Sequence, residues 1–241
     1  MRGQPVTARV LLITGTDTGV GKTITTAALA AAVIAVSAAR SGHGQAALSI
    51  AVDKPAQTGV RPSEPGDSDE VRRLAGISSV TEGIRLRLPM APVAAADHEA
   101  AILPTVDQHA ARIRRLSREH DLVLAEGAGG LLVELDRTRR TLADLAGLLG
   151  DDAAFVVVCR SGLGTLNHAT LTLEALQRRG LAIAGIVIGS WPRRPGDIEL
   201  DNRRHLSSLG MPLLGAIPED ASRLPPAVFR ASAKTWFNRL P

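Results

Sequence analysis

Short apolar runs alternate with longer helix-forming segments along most of the chain. The first run, residues 10–13, is followed after a glycine-rich segment by the Ala-rich residues 24–36, whose composition is typical of a helix. Further apolar runs predict strands at 46–52, 122–125, 153–159, 183–188 and 213–217. Mixed polar and apolar segments predict helices at 68–74, 105–120, 165–179, 198–209 and 227–239, with another short helix from Thr141. This alternation predicts an α/β fold, a single domain over residues 1–241 with a mostly parallel sheet and helices on both faces.

Two regions depart from this alternation. Residues 76–104 are less regular and contain Pro89, Pro92 and Pro104, which exclude one long helix. Residues 61–67 are polar and contain prolines and a glycine, which predicts a loop.

The sequence GTDTGVGKT at residues 15–23 joins the first predicted strand to the first predicted helix. Strand, glycine loop, Lys-Thr and helix form the context of a phosphate-binding P-loop, in which backbone N–H groups and the helix N-terminus surround phosphate oxygens. Lys22 then reaches the β- and γ-phosphates, and the Thr23 hydroxyl is a Mg²⁺ ligand. The loop departs from the strict motif at Thr16, where a glycine is usual, and Ile24 occupies the place of the third glycine of a dinucleotide fingerprint. The alternative is a glycine-rich turn that holds no ligand.

Arginine strongly outnumbers lysine, since of 28 basic residues only Lys22, Lys54 and Lys234 are lysine. Lys22 and Lys54 both follow apolar strands, and Lys54 precedes Pro55, which a central strand does not accommodate. We therefore expect Lys54 at the carboxyl end of the second strand, the edge at which α/β sheets bind ligands. A lysine ammonium is a compact charge suited to phosphate or carboxylate. The alternative for Lys54 is a solvated loop lysine.

Three carboxylates are candidates for a Mg²⁺ site. Glu126 follows the strand at 122–125 and precedes glycines. A carboxylate in this position suits a Mg²⁺-associated role opposite the P-loop. The alternative is a glycine turn with a surface glutamate. Asp69 opens a helix, where it either favours the helix start or contacts Mg²⁺. Asp67 competes with it, and spacing alone does not separate the two.

Composition narrows the classes of function. Aromatic residues make up 2% of the chain and tyrosine is absent, which argues against a stacking platform for single-stranded nucleic acid. The net charge of +4 comes with scattered arginines, which indicates a solvated surface rather than a nucleic-acid partner. We find no uninterrupted apolar stretch of membrane-spanning length and no signal peptide in residues 1–8, so we expect a cytoplasmic protein without a membrane partner. The single cysteine, Cys159, suits a reducing compartment, and its apolar strand indicates a buried, inert thiol.

The ordered set of motifs resembles the dethiobiotin synthetase family from about Leu12 to Asp220. The segments that carry the resemblance are GTDTGVGKT at 15–23, Lys54-Pro55 with Thr58-Gly59, Ser68-Asp69, EGAGG at 126–130, LGTLNH at 163–168 and Ile217-Pro218. The resemblance implies a homodimeric, ATP-dependent ligase of biotin biosynthesis. In its reaction one amine of 7,8-diaminononanoate takes up CO₂ as a carbamate and ATP phosphorylates the carbamate. The second amine then closes the ureido ring of dethiobiotin and expels phosphate.

The resemblance also assigns roles to individual residues. The implied catalytic residues are Lys22 and Lys54. The implied substrate ligands are Thr18, Lys54 and Thr58. The implied magnesium ligands are Thr23, Asp69 and Glu126. The implied nucleotide ligands are Gly19, Val20, Gly21, Lys22, Thr23, Ile24, Asp69, Glu126, Gly127, Ala128, Gly129, Gly189, Ser190, Pro218, Glu219 and Asp220.

The nucleotide base is the point at which this chain departs from the family pattern. Family members often have an Asn-Asp type pair after the fifth strand that reads adenine, and Gly189-Ser190 takes its place here. Because the side-chain amide is missing, we expect weak discrimination among nucleoside triphosphates, with ATP as the default co-substrate and other triphosphates possible.

Two other classes of protein share the phosphate loop. A partitioning or positioning ATPase often carries an extra lysine early in the loop, where this chain has Thr-Asp-Thr at residues 16–18, and we find no convincing basic amphipathic helix at a terminus. A small-molecule kinase would leave a phosphorylated product, whereas the ligase releases free phosphate only when diamine and bicarbonate are both present.

Overall fold

A computed structural model describes residues 8–40 and 48–241 of the chain. Residues 1–7, on which the signal-peptide expectation mainly rests, and the first two residues of the strand expected at 46–52 lie outside the described part. The strands are β1 (Val10–Gly15), β2 (Ile50–Gln57), β3 (Val80–Arg85), β4 (Leu122–Gly130), β5 (Ala153–Cys159), β6 (Ile183–Trp191) and β7 (Leu213–Pro218). The helices are α1 (Lys22–Arg40), α2 (Asp67–Ala75), α3 (Pro92–Glu99), α4 (Val106–Glu119), α5 (Leu142–Leu149), α6 (Thr165–Arg178), α7 (Asp197–Ser208) and α8 (Pro226–Ala233).

The seven described strands form one parallel sheet in the order β3-β2-β4-β1-β5-β6-β7. Strand β1 lies at the centre, with Ile13 opposite Glu126 of β4 and Gly15 opposite Val158 of β5. The carboxyl ends of the central strands therefore meet beside the loop that follows β1. Ligands bind at this edge of an open α/β sheet.

Two apolar cores cover the two faces of the sheet, as expected for helices on both sides. Helices α4, α5 and α6 pack on one face, with Ile113, Leu145 and Leu173 among the buried side chains. Helices α1, α2 and α8 cover the other face, where Leu74 and Phe229 are fully buried. The single-domain prediction rests on this common sheet and stays a prediction for the whole chain.

Helix α1 contains an apolar window of membrane-spanning length, which includes the charged Lys22. Its window Lys22–Ala39 has a mean hydropathy of 1.6 and would cross a membrane by length and composition alone, but half of the window is buried inside the protein. The buried Ala27–Ala32 run belongs to the core under the sheet. A core helix meets the same criteria as a membrane span, so this feature is weak evidence for one.

Strand β2 runs through Pro55 to Gln57, beyond the end that we expected. The N–H of Val52 bonds on the β3 side, so strand alternation turns the Pro55 nitrogen toward β4. Pairing with β4 ends at Asp53, whereas pairing with β3 continues to Gln57. Proline is tolerated because its missing N–H faces the side where the ladder has stopped. Lys54 therefore lies within β2 rather than at its end.

Three other expectations about elements are corrected. Strand β3 and helix α3 lie within residues 76–104, to which we assigned no element; α3 starts with Pro92 at its first turn, where proline is favourable. The EGAGG segment belongs to β4 rather than to a loop. The tail forms α8 only to Ala233 and then a short 3₁₀ turn.

The single thiol is as inert as expected. Cys159 is fully buried at the end of β5. Desolvation by burial raises the pKa of the thiol to about 11, so the thiolate is scarce near neutral pH.

A buried polar network joins α4 to β2 and β3. The Asp53 carboxylate accepts two hydrogen bonds from Arg112, at 2.7 and 3.0 Å, and a third from Thr81 at 2.7 Å. Arg112 Nη2 also lies 2.9 Å from Nδ1 of fully buried His109, a contact that suits a neutral imidazole. Desolvation by burial, followed by the charge of Arg112, lowers the pKa of His109 from 6.5 to about 4.

This network predicts a loss of stability in mild acid. Because the folded-state pKa of His109 is depressed, the unfolded chain binds the proton more tightly, and stability present above pH 6.5 is lost as pH falls toward 4. Between pH 7.5 and pH 5 the His109 contribution is about 2 kcal/mol. Denaturant unfolding of the wild type and of His109→Gln at both pH values should show a shallower pH dependence in the variant. Equal pH dependence in both proteins contradicts this role of His109.

Candidate active site

The loop after β1 has the backbone geometry of a phosphate cradle. Gly19 and Gly21 adopt positive φ angles of 71° and 96°, which glycine accommodates without strain, and α1 begins directly afterwards at Lys22. A Cβ on Gly21 would overlap the carbonyl oxygen of Gly189, and a Cβ on Gly189 would overlap that of Val20. The end of β6 therefore supports the cradle from behind, and both glycines are required for this close approach.

Lys54 lies at the centre of a charged cluster beside the cradle. Its ammonium nitrogen is 2.7 Å from Glu126 Oε1 and 2.6 Å from Asp67 Oδ2, and it donates a 3.3 Å hydrogen bond to the carbonyl of Gly127. Thr23 Oγ1 donates to the same Glu126 oxygen at 2.9 Å. Lys54 is 4% exposed and Glu126 1%, so their pairing takes place out of bulk water. The expected meeting of Lys54, Glu126 and the phosphate loop is present in the structure.

The charges of the cluster shift the pKa values of Lys54, Asp67 and Lys22. Burial opposes the charge of Lys54, but Glu126 and Asp67 more than offset this and raise the pKa of the ammonium. Burial likewise opposes the charge of Asp67, but Lys54 lowers the pKa of that carboxyl. Desolvation by burial lowers the pKa of Lys22, and Glu126 partly counters it. The site thus holds a firmly charged Lys54 next to a less basic Lys22.

The structure brings Asp67, and not Asp69, into the cluster. Asp69 turns back to the start of α2, where Oδ2 accepts the Gly66 N–H at 2.9 Å and Oδ1 pairs with Arg72 at 2.8 Å. Helical geometry explains the difference, because residues two positions apart on a helix point to different sides. A direct contact between Asp69 and a metal bound beside Glu126 and Thr23 does not fit this arrangement, whereas Asp67 fits it.

A cavity of about 630 Å³ opens beside the cluster. Its lining includes the charged side chains Lys22, Lys54 and Asp67 and apolar side chains such as Met90 and Val133. The complete lining is Thr18, Gly19, Gly21, Lys22, Thr23, Ile24, Lys54, Ala56, Gln57, Thr58, Val60, Asp67, Pro89, Met90, Ala91, Pro92, Glu126, Ala128, Gly129 and Val133. A cavity with this mixed lining can hold a ligand that carries both an anionic group and a short hydrocarbon chain.

The residues expected at the nucleotide base form a separate group. Ser190 is exposed at the end of β6, and Pro218 pairs with Trp191 at the end of β7. Glu219 accepts the backbone N–H of Arg193 at 2.8 Å. Asp220, with φ of 62°, lies 3.3 Å from Arg223 and 3.7 Å from Arg193. The close approach of Gly189 to Val20 and Gly21 joins this group to the phosphate loop.

Sequence reasoning missed several residues that hold the cluster together. Thr26 Oγ1 donates to Glu126 Oε2 at 2.9 Å. The sequence offered one indication of Thr26, because it lies four residues after Lys22 on α1 and so on the same side of that helix. Gln57 accepts the Asp67 N–H at 2.8 Å and is nearly buried, a contact that only the tertiary fold reveals.

The cluster offers a magnesium ion two carboxylates and one hydroxyl, from Asp67, Glu126 and Thr23. Hard oxygen donors of this kind are those that Mg²⁺ prefers, and Mg²⁺ commonly keeps waters and phosphate oxygens as its remaining ligands. No group of three or more His, Cys, Asp or Glu side chains with metal-binding geometry occurs in residues 8–40 and 48–241. The donor set therefore suits a nucleotide-borne Mg²⁺ better than an all-protein metal cage.

Comparisons with known proteins identify the family. The AAA domain family matches residues 9–226. The ATP-dependent dethiobiotin synthetase BioD of Streptomyces avermitilis is 52% identical over 233 residues, covering 94% of this chain and 91% of the relative. The chain belongs to the dethiobiotin synthetase family. The BioD protein of Rhodococcus jostii is 49% identical over 230 residues, covering 95% of this chain and 94% of that relative. The resemblance seen in the sequence is confirmed.

Solved structures agree on the fold of this dethiobiotin synthetase family member. The septum site-determining protein MinD from Pyrococcus horikoshii, complexed with Mg-ADP, matches with a TM-score of 0.55 at 17% identity, covering 95% of this chain and 92% of MinD. A ParA family ATPase from Chlorobium tepidum matches with a TM-score of 0.53 at 13% identity, covering 95% and 91% of the two chains. At these identities the likeness confirms a P-loop α/β fold and nothing more.

Proposed function

We propose that this chain is the ATP-dependent ligase that converts 7,8-diaminononanoate and CO₂ to dethiobiotin in biotin biosynthesis, releasing ADP and phosphate. The observation that carries the proposal is the buried ammonium of Lys54 between Glu126 and Asp67, directly beside the phosphate loop. The family relatives, which are named for this activity, support the same assignment.

Lys54 suits the first intermediate. Reaction of a neutral amine with CO₂ gives a carbamate anion and a proton, and a fixed positive charge stabilises that anion. The raised pKa of Lys54 keeps the ammonium charged. Thr18 and Thr58, which line the same cavity, are proposed to hydrogen-bond the carbamate or its surroundings.

Lys22 and the cradle suit the second step, in which a carbamate oxygen attacks the γ-phosphorus and ADP leaves. The transferred group is negative throughout, so positioning and charge neutralisation supply most of the catalysis. Lys22 and the N–H groups of Gly19 to Thr23 are proposed to hold the β- and γ-phosphates. Asp67, Glu126 and Thr23 would hold Mg²⁺, which neutralises phosphate charge when bound.

The cavity suits ring closure. The second amine attacks the carbamoyl carbon, the C–O bond to phosphate breaks, and an amine proton is released as the ring forms. Holding both amines of one chain against one carbonyl makes the step intramolecular, which is worth several kcal/mol of the barrier. The apolar wall around Met90 and Val133 is proposed to receive the alkyl chain.

The proposal includes the remaining expectations from the family. We propose a cytoplasmic homodimer without nucleic-acid or membrane partners. We also propose weak base selectivity, because Ser190 brings no amide to the base and Glu219 already accepts a backbone N–H. ATP remains the default co-substrate, and other nucleoside triphosphates are proposed to serve.

Phosphate release tests this function. Purified protein with Mg²⁺ and ATP is assayed for phosphate and for dethiobiotin by mass spectrometry, with diamine, bicarbonate, both or neither. We expect both products only when diamine and bicarbonate are present, and similar turnover when CTP or GTP replaces ATP. Phosphate release without either substrate, or a phosphorylated diamine, contradicts the ligase; a steep preference for ATP rejects only the weak selectivity.

A further inference from the structure

A cluster of charged side chains fixes the loop that delivers Asp67. Arg85, at the end of β3, donates to the backbone carbonyl of Glu64 at 2.5 Å. The same guanidinium donates to Asp69 Oδ2 at 3.1 Å and to both Glu82 oxygens at 2.8 Å. We call Arg85, Asp69 and Glu82 the Arg85 cluster. It ties the loop at residues 61–66 and the start of α2 to the edge of the sheet.

Gly66 is the point at which this cluster acts on the backbone. Asp69 Oδ2 accepts the Gly66 N–H, so one carboxylate oxygen is shared between Arg85 and the residue that precedes Asp67. A Cβ on Gly66 would lie 2.8 Å from Gln57 Oε1 and 3.0 Å from Arg85 Nη2. The backbone therefore passes closely between Gln57 and Arg85.

Asp67 itself is then held from two sides. Its N–H donates to Gln57 Oε1 at 2.8 Å, and its carboxylate pairs with Lys54 at 2.6 Å. The Asp67 side chain remains 37% exposed, so packing alone does not fix it. Its carboxylate is held by the Lys54 ion pair, and its backbone lies where the Gly66 N–H bonds to Asp69 of the Arg85 cluster.

We infer that Arg85 and Asp69 are positioning residues that aim Asp67 at the Mg²⁺·nucleotide site and so set the affinity of that site. The inference deepens the proposed function, because it rests on Asp67 serving the metal. It also gives Asp69 a role other than direct contact with metal, because its carboxylate turns back to Gly66, Arg72 and Arg85 rather than toward Lys54 and Glu126.

The test compares Arg85→Met, Asp69→Ala and the double variant with wild type. Each single variant is expected to weaken Mg²⁺·ATP binding, measured by titration calorimetry, by about tenfold, the low end for loss of an outer partner of a metal ligand. The double variant should lose no more than either single one, because the two side chains act as one unit. Saturating Mg²⁺ should restore kcat to near the wild-type value, which a general folding defect would not allow.

Matched variants keep the outcome clear. Arg73→Ala removes an ion pair with Glu70 on the same helix and should leave binding unchanged. Asp69→Asn and Arg85→Lys keep part of the hydrogen bonding and should give intermediate losses if the harsher variants do not fold. If the Asp69 variants bind Mg²⁺·ATP more weakly and the Arg85 variants bind it like wild type, Asp69 is a direct metal ligand and the inference is wrong. The inference is also wrong if the losses of the two single variants add in the double variant, or if no variant loses affinity. Since binding is measured without diamine, wild-type protein that binds Mg²⁺·ATP but makes no dethiobiotin refutes the proposed function and not this inference.

Discussion

Replacing Lys54 with alanine is expected to lower kcat/KM for dethiobiotin formation by about 10²- to 10³-fold, the cost of removing one preorganised charge donor. The ammonium would no longer stabilise the carbamate, while Lys22 and the loop N–H groups would still bind nucleotide. Product formation by mass spectrometry and binding of a fluorescent nucleotide measure the two effects separately.

The control for this variant is Lys234→Ala, which removes an exposed lysine from the C-terminal turn. Lys54→Ala also leaves the buried Glu126 without its ion-pair partner, so we expect a loss of stability of about 3 kcal/mol. Denaturant unfolding is therefore measured alongside, and activity is assayed where the variant is folded. Unchanged turnover in folded Lys54→Ala protein would remove this lysine from the site.

Glu126→Gln is expected to raise the Mg²⁺ concentration for half-maximal activity by at least about tenfold. Glu126 accepts hydrogen bonds on both oxygens, from Thr23 and Lys54 on one and from Thr26 on the other. A glutamine has one acceptor oxygen and one NH₂ group, so either Thr26 or the pair Thr23 and Lys54 would meet a donor in place of an acceptor. The negative charge that attracts the metal would also be lost.

A Mg²⁺ titration of steady-state activity measures this effect. Glu119→Gln, at an exposed carboxylate near the end of α4, is the matched control and should titrate like wild type. Identical titrations for Glu126→Gln and wild type would contradict a ligand role for Glu126.

The sequence predicted the parallel sheet and the phosphate loop because their signals are local. Apolar runs mark buried strands, and a glycine loop before Lys22 marks the cradle. Lys54 and Glu126 were predictable for a related reason. Each follows the last residue at which the neighbouring strands β2 and β4 pair, Asp53 and Ala125, so parallel pairing brings the two side chains together. The AAA domain match and the family relatives confirm the family.

The parts that the sequence did not predict depend on tertiary contacts. Asp67 and Asp69 are two residues apart, and only the direction of α2 relative to Lys54 separates them. Strand β3 is half-buried throughout and has no apolar run, so no local pattern marks it. Pro55 argued against a strand because proline has no N–H to donate. It is accommodated because pairing of β2 with β4 stops at Asp53, two residues earlier, which a single sequence does not reveal.

The transfer of oxygen from CO₂ to phosphate tests the central claim most directly. If the carbamate beside Lys54 attacks the γ-phosphorus, one of its oxygens must leave in the released phosphate. Bicarbonate labelled with ¹⁸O, freshly mixed with enzyme, diamine and Mg²⁺·ATP, is therefore predicted to give phosphate that carries one labelled oxygen, in step with dethiobiotin. Unlabelled phosphate formed at the same rate would mean that water attacks the nucleotide and that no carbamate is phosphorylated.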